Sequence, residues 1–504
     1  MMGMAYFLTV LVFSPLLGIA IISLLPKSNE ALIKLVGFLA TLPALILSLT
    51  AFFQYRAGAD LAELSEKVKW VQFADPKTLG DLFSINYEMG VDGFSLIMLV
   101  LTAILSTLAA VASMYIQKEW KGYFLLFLLL EIGMLGVFAA ENLILFFIFF
   151  EITLIPTFFL IGKWGYFEKE KAAFSFLIYN GLGSAVLLIV IVVLFARTGT
   201  SNIADLTAIL ASDTENLAFS PGAKMGLLIG MLIAFGVKLP IFPLHSWMVR
   251  VHVQASPSVV MLHAGILLKI GAYGLIRFGM GIFPEQFQEL AGFIALLGVI
   301  NLLYGAFLAL VQKDFKMVLA YSSISHMGIV LIGLGALNEA GIQGAIFQVV
   351  SHGLIAALLF FLVGVFYNRL ETSNIENMGG LAKAMPLTAG FLLAAAMASL
   401  GMPGMSGFVS EFMAFLGLFK EQPVLAAVGA LGIILTAVYM LRAVLGMTYG
   451  KSQREYGEMS DIRKTEWIPA VVLLGMIVLI GVYPSVLSGP LTSTIETIML
   501  GIGG

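Results

Sequence analysis

Residues 224–248 read KMGLLIGMLIAFGVKLPIFPLHSWM, an apolar run interrupted near its end at Gly236-Val-Lys238-Leu-Pro240-Ile-Phe-Pro243. A helix that crosses a bilayer needs about 20 predominantly apolar residues, and this stretch has that length. Each proline removes a backbone donor and clashes with the preceding turn, so the helix must break there. In lipid the freed carbonyls need other partners. Such backbone survives only inside protein or beside water. A lysine at the same point adds a charge that lipid does not tolerate. The segment therefore reads as membrane-spanning, buried among other helices and built for more than anchoring.

Working outward, a second apolar segment, 386–417, carries a comparable break at Gly401-Met-Pro403-Gly404-Met-Ser-Gly407. Twelve further spans are expected at 4–25, 31–53, 93–116, 122–140, 143–163, 172–196, 255–278, 288–311, 317–337, 341–367, 424–447 and 466–488. The tail 491–503 is too short to span. The first apolar segment has no Lys or Arg before it and Lys27 after it, so it reads as a retained helix rather than a cleaved signal. Composition agrees. Of 504 residues, 60% are hydrophobic and 11% charged, whereas a soluble domain carries about a quarter charged residues. The fold class expected is an all-α polytopic membrane protein of about fourteen transmembrane helices.

The basic residues set the expected orientation, because cytoplasmic loops are enriched in Lys and Arg. With the N-terminus outside, seventeen of the 27 Lys and Arg fall inside, among them Lys118, Lys121, Lys163, Lys313, Lys316, Arg369 and Arg454. Eight, including Lys67, Lys69, Lys77 and Arg277, fall outside, several of them in the long loops 54–92 and 197–223. Lys238 and Lys269 fall within spans. Fourteen crossings place both termini outside, in the inner membrane of a bacterium.

The broken spans are the seventh and the twelfth. A separation of five suggests two five-helix repeats, the second inverted because five is odd. Asn180-Gly-Leu-Gly-Ser-Ala-Val-Leu in span 6 echoes His352-Gly-Leu-Ile-Ala-Ala-Leu-Leu in span 11; chance likeness of two apolar helices is the competing reading. The expected organisation is 1–116 for helices 1–3 with an external loop, 117–282 for the first repeat, 283–448 for the second, and 449–504 for an inner loop, helix 14 and a tail.

An ionised side chain at mid-membrane costs roughly 2.5–3.5 kcal/mol on insertion scales, so such residues are rare and usually functional. Glu151 sits midway along span 5, Lys238 at the break of span 7, Lys269 midway along span 8 and Glu411 beyond the break of span 12. Snorkelling or a static ion pair is the alternative for each. A lysine whose charge depends on a nearby glutamate is what a gated proton relay requires. His326 and His352 are candidates to bridge that relay, since imidazole accepts and donates a proton near neutrality. A hydrogen-bonded core histidine is the alternative. His245, His252 and His263 line either an entry path or an interface. Glu131 in span 4 is a further intramembrane acid, either coupled to a neighbouring chain or paired locally.

Other chemistry is not expected. Without cysteine there is no disulfide, thiolate nucleophile or Cys-ligated cluster, and five scattered histidines form no HExxH. There is no P-loop and no GxGxxG after a strand, so nucleotide binding is not expected. Net charge is −3 with no long basic run, which argues against nucleic acid.

The motifs resemble a known family. Glu151 with Pro156 and Gly162-Lys163-Trp164-Gly165, Lys238-Leu-Pro240-Ile-Phe-Pro-Leu-His245-Ser-Trp247, Gly265-Ile-Leu-Leu-Lys269, Ala320-Tyr-Ser-Ser-Ile-Ser-His326-Met-Gly328 and the Gly401–Glu411 stretch are similar to the antiporter-like subunits of respiratory complex I. The M-type chain of bacterial NADH:quinone oxidoreductase, matching mitochondrial chain 4, is the nearest likeness; Glu at 411, where L-type chains resemble a lysine, points the same way. The resemblance implies proton translocation driven by quinone reduction elsewhere, with Glu151 and Lys238 as a pair, Lys269 at the centre, His326 and His352 as links and Glu411 as the exit acid. It implies that FMN, iron–sulfur clusters and quinone belong to partner subunits, that neighbouring antiporter-like chains are the main partners, and that this chain does no redox chemistry. A cation/proton antiporter complex or a membrane-bound hydrogenase is the alternative setting. One departure stands in the loop after span 7. The family pattern Asp-Ala-His-x-Glu-Ala-Pro is replaced by Arg250-Val-His252-Val-Gln254-Ala-Ser256-Pro257, which puts an entry role for that loop in doubt.

Overall fold

The structure is a computed structural model that describes residues 6–72, 84–212, 218–451 and 459–503; Lys77 and Arg454 lie outside them. Among the described residues, thirteen helices have the length and apolarity to cross a membrane: α1 Phe7–Leu24, α2 Glu30–Arg56, α3 Gly93–Tyr115, α4 Trp120–Ala139, α5 Leu143–Trp164, α6 Lys169–Thr198, α7a Pro221–Lys238, α8 Pro257–Met280, α9 Pro284–Val311, α10 Phe315–Gly335, α11 Glu339–Leu370, α13 Pro423–Tyr449 and α14 Lys464–Val482. The fourteenth crossing is the broken pair α12a Pro386–Ser399 and α12b Ser406–Glu421. Past its own break, α7a continues as α7b, Ser246–Gln254. The tail is a helix, α15, Ser485–Gly501, which packs on α3 without joining the spans.

Burial separates the helices by role. The hydropathic windows of α8 and α11 are wholly buried inside the protein, while those of α2, α13 and α14 are one-third buried and face outward. A helix apolar on every side and buried on every side is a central staff, so α8 and α11 form the axis around which the rest is arranged.

The α7 break is satisfied as lipid demands. Asn301 of α9 accepts from Phe242 N (2.7 Å) and donates to Pro240 O (3.1 Å), and Trp247 Nε1 donates to Val237 O (3.1 Å). At the α12 break, Gly401 (φ 78°) and Gly404 (φ 90°) occupy the left-handed region that side chains disfavour.

The loop expected at 54–92 contains a hairpin, β1 Glu66–Gln72 and β2 Ser84–Met89, paired antiparallel from Glu66↔Met89 to Gln72↔Ser84. It packs at the ends of α1, α4 and α5, which define the hairpin face of the molecule. Glu66 accepts from Leu8 N (2.6 Å) and Thr9 N (3.2 Å), placing a carboxylate at the N-terminus of α1 where the helix dipole favours it. Glu88 accepts from Lys67 Nζ (2.8 Å), Asn202 Nδ2 (3.0 Å) and Asn86 Nδ2 (3.3 Å). Burial opposes ionisation of Glu88, but these donors prevail and hold its carboxyl below the usual carboxylate range.

Two short backbone ladders cap the bundle at opposite faces. On the hairpin face Asn142 bridges Asn202, with Leu143 N donating to Ser201 O (2.8 Å) and Ile203 N to Glu141 O (3.1 Å). On the other face Asp314 bridges Asn374, with Phe315 N donating to Ser373 O (2.8 Å) and Ile375 N to Lys313 O (2.9 Å). Every group of the second ladder stands 172 residues after its counterpart in the first (142 to 314, 202 to 374). The same interval separates Asn180 from His352. On that second face Arg369 makes a two-pronged contact with Glu466 (2.7 and 3.1 Å), and Tyr115 donates to the same carboxylate (2.5 Å), so α11, α14 and α3 are tied together.

Candidate functional site

Of the residues singled out in the sequence, Lys269, His352, His326 and Glu411 converge on the α8–α11 axis. Lys269 has no exposed surface. Its helix is π-wound at His263–Leu267 and again at Leu275–Met280, with a regular α segment, Leu268–Gly274, between. π-Winding spoils the usual backbone pairing and is frequent at functional sites. Lys269 Nζ takes up the Ala264 carbonyl at 2.7 Å and lies 2.7 Å from His352 Nδ1, with Met327 Sδ at 3.8 Å. When Lys269 carries its proton, Nδ1 accepts and the proton of the His352 ring sits on Nε2.

That contact needs two helices closer than ordinary side chains allow. A Cβ on Gly353 would lie 2.8 Å from Gly265 O, so the two glycines let α8 and α11 touch one turn from Lys269 and next to His352.

From His352 the polar line continues. The rings of His352 and His326 are 5.3 Å apart. His326 Nδ1 lies 3.5 Å from Glu411 Oε1, and its Nε2 lies 3.2 Å from Ser399 Oγ. Gln348 braces the end of the line: its Nε2 is 3.3 Å from His326 Nδ1 and its Oε1 accepts from Ser410 Oγ at 2.5 Å. A void of about 10 Å³, about the space of one water, lies against His352, Ser399, Ser322 and Ser323. Glu411, 5% exposed, nests against the α12 break, its Oε2 where a Cβ on Gly401 would lie 2.6 Å away.

On the other side of Lys269 the arrangement differs from the expected one. Glu151 and Lys238 form no ion pair. Lys238 Nζ stands over the rings of Phe150 (4.8 Å) and Phe176 (5.5 Å), and Glu151 Oε1 is buried without a hydrogen-bond partner. Phe150 precedes Glu151 on α5, and neighbouring helical positions point about 100° apart. The Phe150 ring thus stands against the lysine, and no Glu151 oxygen comes within ion-pair distance of it.

His252 and His263 are buried (1% and 0% exposed) and joined at 3.0 Å, Nε2 to Nδ1, so they are not interfacial residues. The His263 ring packs on Trp247 (5.4 Å) and on Phe176 (6.0 Å), the ring over which Lys238 Nζ stands, and His263 opens the π-wound turn that leads to Lys269. Their outer nitrogens, Nδ1 and Nε2, lack partners. His245 instead bonds Tyr304 OH at 3.0 Å. Glu131 is fully buried and neither of its carboxylate oxygens has a partner, so it pairs with nothing local. The link from His252 to His263 crosses the junction between two helices, and its only signal in the sequence is the presence of both rings beside the break.

Residues 140–436 match the family model described as NADH:quinone oxidoreductase/Mrp antiporter, TM. The chain belongs to this family. Among curated relatives it is 39% identical over 491 residues to NAD(P)H-quinone oxidoreductase chain 4 2 of Thermosynechococcus vestitus, covering 95% of this chain and 89% of that one. It is 35% identical over 501 residues to NADH-quinone oxidoreductase subunit M of Rickettsia typhi, covering 98% of both. Among solved structures, a chain of respiratory complex I from Thermus thermophilus with bound NADH superposes with a TM-score of 0.87 at 28% identity, covering 99% of this chain and all of that one. Family membership extends over all the helices from α5 to α12, and thus over every site residue named above except Glu131.

Proposed function

We propose that this chain is the M-type proton-translocating subunit in the membrane arm of an NADH:quinone oxidoreductase. The observation that carries the reading is the polar line Lys269–His352–His326–Glu411 through an otherwise apolar core. Each member can bind or release a proton, and each stands in contact with, or one water from, the next. Lys269 gives a proton to His352 Nδ1, and the ring releases its Nε2 proton toward the void. His326 passes it to the Glu411 carboxylate beside the α12 break. Lys238, through His263 and His252, reloads Lys269. Glu151, set apart by the Phe150 ring, biases the charge of Lys238 from a distance, and Glu131 is a separate intramembrane acid off this line.

The driving reaction, with its FMN, iron–sulfur clusters and quinone, belongs to other subunits, and neighbouring antiporter-like chains are the partners. The paired ladders support two five-helix units, 117–282 and 283–448, with the second inverted. The lysine-rich face is inside, so the hairpin face and both termini are outside. Subunits of antiporter complexes share the family's name; relatives named as oxidoreductase subunits over nearly the whole chain favour the first reading.

Vesicles carrying the assembled enzyme provide the test. Lys238→Ala and Glu411→Ala should each lose most NADH-driven proton uptake while the complex still assembles. Full pumping in both variants would refute the relay.

A further inference from the structure

Lys269, Tyr273 and Arg277 follow one another at intervals of four along α8 toward the hairpin face. Within the regular segment Leu268–Gly274, that interval puts Lys269 and Tyr273 on one side of the helix. Tyr273 is 1% exposed, and its hydroxyl lies 2.8 Å from Ser95 Oγ. Ser95 N donates to Asp92 Oδ1 (2.8 Å), and Arg277 Nη1 donates to Asp92 Oδ2 (2.6 Å). Asp92 and Arg277 line a cavity of about 580 Å³ with Glu141, Asn202, Thr207 and Thr494. Two buried polar atoms on that wall, Arg277 Nε and Thr494 Oγ1, have no hydrogen-bond partner. They are suited to bind water that the cavity has room to hold.

Between the cavity and Lys269, Tyr273 is ringed by Phe138 (5.0 Å), Phe94 (5.3 Å), Phe278 (6.3 Å) and Phe146 (6.4 Å), all buried. A hydroxyl in so apolar a place costs free energy unless partnered. A phenylalanine would fill the same space without that cost.

We propose that Tyr273, Ser95 and the Asp92–Arg277 pair form a second proton-release route, leading from Lys269 directly to the hairpin face and closed in this conformation by the phenylalanine collar. The route rests on the reading of Lys269 as the centre of the relay. When the collar opens and admits water, an N–H bond of the Lys269 ammonium breaks and the proton passes to water. The Tyr273 and Ser95 hydroxyls each accept one proton on oxygen and give up their own. Ser95 touches Asp92 through its backbone N–H, so admitted water carries the proton from the Ser95 hydroxyl to the Asp92 carboxylate, which takes it as Oδ–H and then yields it to water in the cavity. No electrons move, and neutral Lys269 is left to be reloaded. Arg277 is a positioning residue that holds Asp92 at the mouth.

The assembled enzyme in vesicles tests the route. Lys269→Ala sets the scale by the share of pumped protons per NADH that it removes. Tyr273→Phe keeps the ring and the packing, and it is expected to remove the smaller part of that share which the Glu411 exit does not carry, as is Asp92→Asn. Phe138→Ala is expected to raise passive proton leak severalfold without NADH. Because the chain has no cysteine, Thr207→Cys reports the side on which the cavity opens. In intact cells, an impermeant maleimide added to the medium should label it. Unchanged proton stoichiometry in Tyr273→Phe and Asp92→Asn, alongside a deficit in Lys269→Ala, overturns the route and leaves the relay standing. Full pumping in Lys269→Ala overturns both. Labelling of Thr207→Cys from inside only overturns the direction of release and with it the route.

Discussion

Glu411 and Gly401 show how closely charge and backbone are fitted at the level of single residues. The carboxylate occupies space that any side chain at 401 would claim, and the backbone there has φ 78°. Gly401→Ala therefore meets two penalties: about 1–3 kcal/mol for a non-glycine residue in that conformation, and a clash with the carboxylate. Pumping in this variant should fall toward that of Glu411→Ala while the complex assembles, and normal pumping would show that the nest is dispensable. The buried charges themselves were legible in the sequence, because an ionisable residue within twenty apolar ones is a local signal. The partner of each was not. Glu151 and Lys238 looked like an ion pair, yet the groups in contact with the ammonium are the Phe150 and Phe176 rings. Tyr273 meets Ser95, and Arg277 meets Asp92, across 178 and 185 residues, a separation on which apolar periodicity is silent.

Between elements, the breaks and ties follow the rule that buried backbone must be paired. Asn301→Leu would strip both partners from the α7 break and leave the Phe242 N–H and Pro240 C=O open, at about 1–3 kcal/mol for each buried group. Thermal unfolding of the purified assembly should then begin at a lower temperature; an unchanged transition would mean that water replaces Asn301 at no cost. Glu88 provides the pH-dependent tie. Its folded carboxyl titrates below the unfolded value, about 4.3 for glutamate, so the contribution is fully present above that value and is lost as pH falls through the folded one. Amide exchange in Val68–Val71 should thus rise in acid for the natural chain. In Glu88→Gln it should be raised already at neutral pH and depend less on acid; equal exchange in both at neutral pH would remove Glu88 from that role. The span positions and both breaks were readable from length and proline alone. The hairpin was not, since its strands are short, polar and paired with helix ends, and the π-wound turns of α8 carry no residue-type signature.

At the scale of the whole molecule, fourteen crossings with the ladders at opposite faces put the hairpin and the lysine-rich loops on different sides. Single thiols test this directly. Trp70→Cys on the hairpin and Phe167→Cys on the opposite face are both exposed positions (54% and 92%). An impermeant reagent added outside should label the first and spare the second, and the reverse pattern would invert the assigned orientation. The fold class emerged from composition and apolar runs because lipid leaves few alternatives. The convergence of the charges on one axis did not, because it depends on α8 and α11 lying at the centre. Those two helices are held together at the axis by the 2.7 Å approach of Lys269 to His352. A hydrogen bond of this kind is lost by about 3.5 Å. The contact therefore works as an electrical switch does: less than one ångström of added separation between α8 and α11 opens the circuit, and the same small return closes it.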